Sequence, residues 1–224
     1  MQPTARPRFK ICCIQDAVEA ELAVRYGASA LGLVAAMPSG PGVIPEPRIA
    51  AIATTIPPGV ASFLLTSEHN PTALVAQARR CHCNTVQICD RMEVDAYDFL
   101  RLSMPGIALV QVVHVTGEEA LAEAEHVAPY VNAILLDSGN PNLAVPVLGG
   151  TGRRHDWMIS ARIRAAVPVP VYLAGGLRAH NVAEAVATVG PFAVDVCTGV
   201  RTDGRLDEDK LAAFVAALVA ASVM

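Results

Sequence analysis

Asp137 closes the apolar run Ile134-Leu135-Leu136, and the sequence that follows is rich in glycine. Burying an unpaired carboxylate is costly, so an aspartate at the end of an apolar strand points to a ligand or a counter-charge. Gly149, Gly150 and Gly152 form one glycine cluster, and Gly175 and Gly176 form a second at the end of Val171-Tyr172-Leu173. A third apolar run, Ala193–Val196, leads into Cys197-Thr198-Gly199. Glycine lets backbone N–H groups approach an anion with no side chain between. Glycines at the ends of consecutive buried strands therefore suggest a phosphate cradle built from Gly149, Gly150, Gly152, Gly175, Gly176, Thr198 and Gly199. Plain turns are the alternative reading of the same glycines.

The elements that must position these residues alternate along the chain. Candidate strands are Lys10–Ile14, Ala30–Ala35, Val60–Leu65, Thr85–Ile88, Ala108–His114, Ala133–Leu136, Val169–Leu173 and Ala193–Val196. Several are continuous in aliphatic residues, as strands buried on both faces should be. Helical patterns lie between them: Asp16–Tyr26, Glu46–Ile56, Pro71–Cys81, Val94–Ser103, Glu118–Ala128, Asp156–Ala166, Asn181–Val189 and Asp207–Ala221. Eight repeated strand–helix units predict a (β/α)8 TIM barrel, because closure removes the two edges that an open sheet would expose. A doubly wound open sheet is the runner-up. In a barrel the site lies at the C-terminal strand ends, with phosphate held after strands seven and eight. Cys12, Ser39, Gln87, His114, Asp137, Asp195 and Thr198 fall at that end, and Ser39, Gln87 and His114 are the expected pocket residues.

Composition narrows the class. The 224 residues are expected to form one barrel domain, 1–224, with residues 1–8 as a flexible N-terminal extension. Hydrophobic residues make up 53 % of the chain and charged ones 17 %, which implies a large core. The net charge of −4 carries no basic stripe, so nucleic acid is not an expected partner. No apolar run is long enough for a bilayer, and the N-terminus is no secretory signal, so a cytoplasmic location is expected. The six cysteines do not space like a disulfide framework and are expected to be reduced. Cys81-His82-Cys83 is a poor match to zinc spacing, and no metal is expected. A monomer or a homodimer fits equally well.

Taken in order, several short motifs resemble the phosphoribosylanthranilate isomerase family: Lys10-Ile11-Cys12, Leu135-Leu136-Asp137, Gly149–Gly152, Asp156-Trp157, Leu173–Leu177, Asn181 and Val194–Val196. The likeness runs from Lys10 to Phe214. It implies a (β/α)8 barrel that turns a phosphoribosylamine into a 1-amino-1-deoxyribulose 5-phosphate by an Amadori rearrangement in tryptophan biosynthesis. It also implies a small phosphorylated-sugar substrate and no cofactor. Carried over, Cys12 resembles the family's general base and Asp137 its general acid, with Asp195 as support. An acid must protonate the ring oxygen and a base must remove the proton from sugar C2, from opposite sides of the substrate. A thiol starts near ~8.5 and a carboxyl near ~3.9, so each needs its surroundings to move it toward neutrality. Without the resemblance, a cysteine in a buried strand reads as a small hydrophobe.

The departures gather on the other side of the mouth. The family has an arginine two residues after a serine that aligns with Ser39, and it holds the anthranilate carboxylate. Pro41 stands there, with no guanidinium and no N–H. Cys13 replaces a glycine, Cys89-Asp90 replaces His-Gly, and Arg201 replaces an acid. Arg153, Arg154 or His114 could supply the missing cation. Two further readings stay open: a barrel acting on a different phosphorylated substrate, and a non-catalytic binder of a phosphate ligand.

Overall fold

The computed structural model describes residues 7–139, 148, 152 and 154–221. Eight parallel strands close into a barrel in sequence order, β1 Phe9–Ile11, β2 Ala30–Val34, β3 Ala61–Thr66, β4 Thr85–Ile88, β5 Ala108–His114, β6 Ala133–Asp137, β7 Val171–Leu173 and β8 Ala193–Val196. Eight helices alternate with them, α1 Ala17–Arg25, α2 Glu46–Ala53, α3 Pro71–Cys81, α4 Val94–Ser103, α5 Glu119–Val127, α6 Trp157–Ala166, α7 Val182–Val189 and α8 Glu208–Ala221. A small antiparallel pair, β9 Arg201–Thr202 and β10 Arg205–Leu206, follows β8. Closure decides against the open sheet: β1 pairs with β2 on one side and with β8 on the other, Ile11 opposite Val196. Among the described residues no helix is long and apolar enough to cross a membrane.

Local chemistry sets the element ends. Asp16, Asn70 and Asp156 each accept a backbone N–H in the first turn of α1, α3 and α6. Gly190 ends α7 in a left-handed conformation that glycine adopts freely. The expected strand Lys10–Ile14 stops at Ile11, because Cys13 takes φ +64° and turns the chain out of the ladder. The expected strand Val169–Leu173 starts at Val171, because Pro168 and Pro170 lack the N–H that pairing needs.

Strand pleating separates two apolar layers. One face of each strand packs under the helices with residues such as Ile11, Leu33, Leu64, Trp157 and Phe214. The other fills the barrel with Ala30, Phe63, Leu65, Val110, Val112 and Leu135. Into this interior the β1–β8 seam places two charges. Lys10, fully buried, donates to Asp195 at 2.7 Å, opposite it in the register. Its ammonium also lies 5.3 Å from the Phe63 ring centre. Gly32 makes the room, since a Cβ there would come within 3.2 Å of the Lys10 chain and of Cys12.

A buried ion pair is expensive to break from one side, because the survivor keeps its desolvation cost. Asp195→Asn should therefore lose about 3–5 kcal/mol of unfolding free energy. The double variant Lys10→Met with Asp195→Asn should regain more than half of that loss, which urea denaturation of the variants will measure.

Candidate active site

The C-terminal strand ends enclose a cavity of about 630 Å³. Of the expected residues, Cys12, Asp137, Asp195, Ser39, Gln87, Gly152, Gly175, Gly176 and Thr198 line it. Gly149 and Gly150 lie outside the described residues.

Asp137 ends β6 and is 8 % exposed. One carboxylate oxygen accepts the Ser138 N–H at 2.7 Å. Burial pushes the carboxyl above its usual range, against the opposing pull of that N–H and of His114. His114 lies opposite Asp137 across β5 and β6. It was expected in the pocket, yet it is a wall residue: its Nε2 turns to the Cys89 carbonyl at 3.0 Å, and it is not among the residues lining the cavity.

Across the mouth, β1 and β8 bring three thiols together. Cys197 Sγ lies 2.9 Å from Cys13 Sγ, and Cys13 Sγ lies 3.7 Å from Cys12 Sγ. The Cys13 thiol also reaches the Pro41 carbonyl at 3.4 Å. Cys13 carries its side chain on a left-handed backbone, a conformation that costs about 1 kcal/mol or more. Gly42 permits it, since a Cβ at Gly42 would sit 2.4 Å from the Cys13 Cβ. The thiols do not titrate alike. Cys197 is pulled well below an ordinary thiol, because Cys12 and Cys13 hydrogen-bond to it and the Arg201 guanidinium lies nearby. The Cys12 thiol is drawn down by its bond with Cys13, but the bond with Cys197 and burial outweigh that and leave it raised.

The clamp behind these thiols was not foreseen from the sequence. Arg201 is 8 % exposed and donates to the backbone carbonyls of Cys12 at 2.9 Å and Cys13 at 2.6 Å. Its other nitrogen pairs with Glu19, itself buried, at 3.1 Å. Glu19 further accepts the N–H groups of Gln15 and Leu206. The exchange of the family's acid for Arg201 was the available signal; a buried glutamate on α1 was its missing half. Lys10 was likewise overlooked, because a lysine at the start of an apolar run reads as a strand's exposed entry.

On the third side, Gly175 takes φ +83° and Gly176 φ +66°. A Cβ at Gly175 would meet His155 Nδ1 at 2.9 Å and Ser138 Oγ at 3.1 Å. Gly152 borders Thr198, and a Cβ at Gly199 would lie 2.0 Å from the Leu177 carbonyl, so that glycine is a packing necessity. Ser39 Oγ accepts the Leu148 N–H at 3.3 Å, tying the loop after β2 to the one after β6. On the cavity wall, Gln87 Oε1 and Asp195 Oδ1 are buried acceptors with no hydrogen-bond partner among the described residues.

Arg154, one of the candidate cations, is engaged away from the mouth. It stacks 3.6 Å over the Trp157 ring and pairs with Glu184 at 2.9 Å, on the outside. Arg153 lies outside the described residues. Cys81 and Cys83 are buried away from the cavity, the Cys83 thiol bonds the Cys81 carbonyl, and His82 caps α3. Among the described residues no cluster of side chains is placed to hold a metal ion.

The model of the family described as N-(5'-phosphoribosyl)anthranilate (PRA) isomerase matches residues 10–217. An N-(5'-phosphoribosyl)anthranilate isomerase of Haloferax volcanii is 37 % identical over 212 residues, spanning 94 % of this chain and 92 % of the relative. The crystal structure of phosphoribosyl anthranilate isomerase from Thermotoga maritima superimposes with a TM-score of 0.80 at 28 % identity, covering 93 % of this chain and 97 % of that one. A phosphoribosyl anthranilate isomerase in complex with reduced 1-(o-carboxyphenylamino)-1-deoxyribulose 5-phosphate gives 0.78 at 26 % identity, covering 93 % and 96 %.

His155, beside Gly175, offers a test of how this wall is held. Burial lowers its pKa from 6.5 to about 4, and its Nε2 lies 2.7 Å from Ser160 Oγ. The unfolded chain therefore takes up this proton first as pH falls, so the contribution is present above pH 6.5 and lost on the way down to about 4. At ~1.4 kcal/mol per unit the loss amounts to at most about 3.5 kcal/mol. In His155→Gln that part of the acid-side loss should vanish when unfolding free energies at pH 7.5 and 4.5 are compared.

Proposed function

The chain belongs to the N-(5'-phosphoribosyl)anthranilate isomerase family, and we infer from this that its barrel mouth performs the Amadori rearrangement of tryptophan biosynthesis with Cys12 and Asp137 as the proton-transfer pair. The observation that carries the reading is the arrangement of the cavity. A buried carboxyl on β6 and a thiol at the end of β1 face one space, and glycines after β7 together with Thr198 form its third side.

Asp137, its carboxyl pushed up by burial, gives its proton to the furanose ring oxygen of the phosphoribosylamine. The C1–O bond opens to a protonated Schiff base, and the positive nitrogen acidifies the hydrogen on C2. Cys12, as thiolate, takes that hydrogen. The enamine then collapses to the 1-amino-1-deoxyribulose 5-phosphate. Gln87 Oε1 and Asp195 Oδ1, buried and unpaired, suit donation from the sugar hydroxyls of the opened chain, which would remove their desolvation penalty. Gly152, Gly175 and Gly176, all at positive φ, and the Thr198 hydroxyl suit the phosphate, since no side chain keeps an anion from the glycine backbone. Substrate and pathway fit a cytoplasmic enzyme working as a monomer or a homodimer.

A second reading is favoured by Pro41 and by the engagement of Arg154 and His114 elsewhere: a phosphoribosylamine whose amine needs no guanidinium partner. The loss of phosphoribosylanthranilate fluorescence on adding the protein tests the first reading, and no turnover by a folded protein selects the second. With the substrate that is turned over, Cys12→Ser and Asp137→Asn should each lower kcat by about 10²–10⁴ while circular dichroism stays unchanged. An active variant of either kind removes that residue from its role.

A further inference from the structure

The isomerase reading needs one thiol at the mouth, and the structure holds three. The β1–β8 register pairs Ile11 with Val196, and the Cys12 N–H continues the ladder to the Val196 carbonyl at 2.9 Å. Cys12 and Cys197 therefore leave the seam side by side. Cys13, one residue further, turns back through its left-handed backbone and brings its Sγ to 2.9 Å from Cys197 Sγ. A disulfide requires about 2.05 Å, so less than ~1 Å of approach separates the two thiols from a bond.

Access and reactivity differ among the cysteines in a way that selects this pair. All three thiols line the cavity, but Cys197 is half-buried, whereas Cys12 and Cys13 are buried. A reagent entering the mouth meets Cys197 first. Its thiol also releases its proton most readily, and the thiolate is the attacking form. Burial pushes Cys81, Cys83 and Cys89 the other way, to about 11, about 12 and about 12.

We propose that Cys13 and Cys197 are a redox-active dithiol, a modification site that a small organic disulfide of the glutathione class oxidises to an intramolecular bridge. The Cys197 thiolate attacks one sulfur of the small disulfide, its S–S bond breaks, and one small thiolate leaves. Cys13 then gives up its proton, its sulfur attacks Cys197 Sγ, and the second small thiolate leaves. Two protein thiols lose two electrons, and one small disulfide gains them as two thiols. The bridge removes both thiols that bond to Cys12, the Cys13 S–H against its Sγ and the Cys197 sulfur it bonds to, so the oxidised form holds the proposed base in altered surroundings.

The test treats the full chain with oxidised glutathione, alkylates remaining thiols under denaturing conditions, and maps the peptides by mass. The expected product lacks two hydrogens, links the Cys13 and Cys197 peptides, and leaves Cys81, Cys83 and Cys89 alkylated. Isomerase activity should fall at least about tenfold in step with the bridge and return with dithiothreitol. Cys13→Gly keeps the backbone conformation without steric cost, so it should fold and retain one glutathionyl group on Cys197. Cys197→Ser should form neither product. A bridge that includes Cys12, a wild type that stops at the adduct, or no mass change would each overturn the proposal. The mass readout does not depend on the isomerase reading, so either can fail alone.

Discussion

Everything at the mouth depends on how β1 is held against β8. That seam closes the barrel, and it is cross-linked twice by charge. Below, Lys10 reaches across to Asp195 in the barrel interior. Above, Arg201 spans back from the end of β8 to the carbonyls of Cys12 and Cys13, braced by Glu19. Both pairs are buried, so each is strong only while complete. Together they fix the stretch on which the thiols stand, and they do so with backbone contacts that leave the sulfur atoms free to face the cavity.

The same seam sets the electrostatics. The Lys10 ammonium is near both Asp195 and the thiols, and it offsets the negative charge that a thiolate and two carboxylates would accumulate there. Burial pushes the Asp195 carboxyl up, against the pull of the Lys10 ammonium paired with it.

Much of this was legible in the sequence, and the exceptions have physical causes. Buried parallel strands write themselves as short aliphatic runs, so β4, β5 and β8 fall on the expected residues. Asp137 was legible because a carboxylate at the end of such a run has no other reason to be there. The seam was not. Lys10, Glu19 and Arg201 lie far apart in the chain, and only closure of the barrel makes them neighbours. His114 was misplaced for a smaller reason: a strand end indicates which way the backbone leads, but the ring's direction is set by the Cys89 carbonyl on the adjacent strand. The glycine-rich stretch after β6 was read as half of a phosphate cradle, and of it Gly152 stands beside Thr198 in the cavity wall.

The contact between Cys13 and Gly42 carries a constraint on the history of this site. A side chain at position 42 and a side chain at position 13 would occupy the same space, since the two Cβ positions are 2.4 Å apart. A chain with glycine at both positions is open to either change; once one is made, the other is closed. Cys13 therefore requires an empty position 42 and keeps that position empty. The loop carrying Pro41 and the thiol cluster are, in this sense, one unit of change: neither can be altered freely while the other stands.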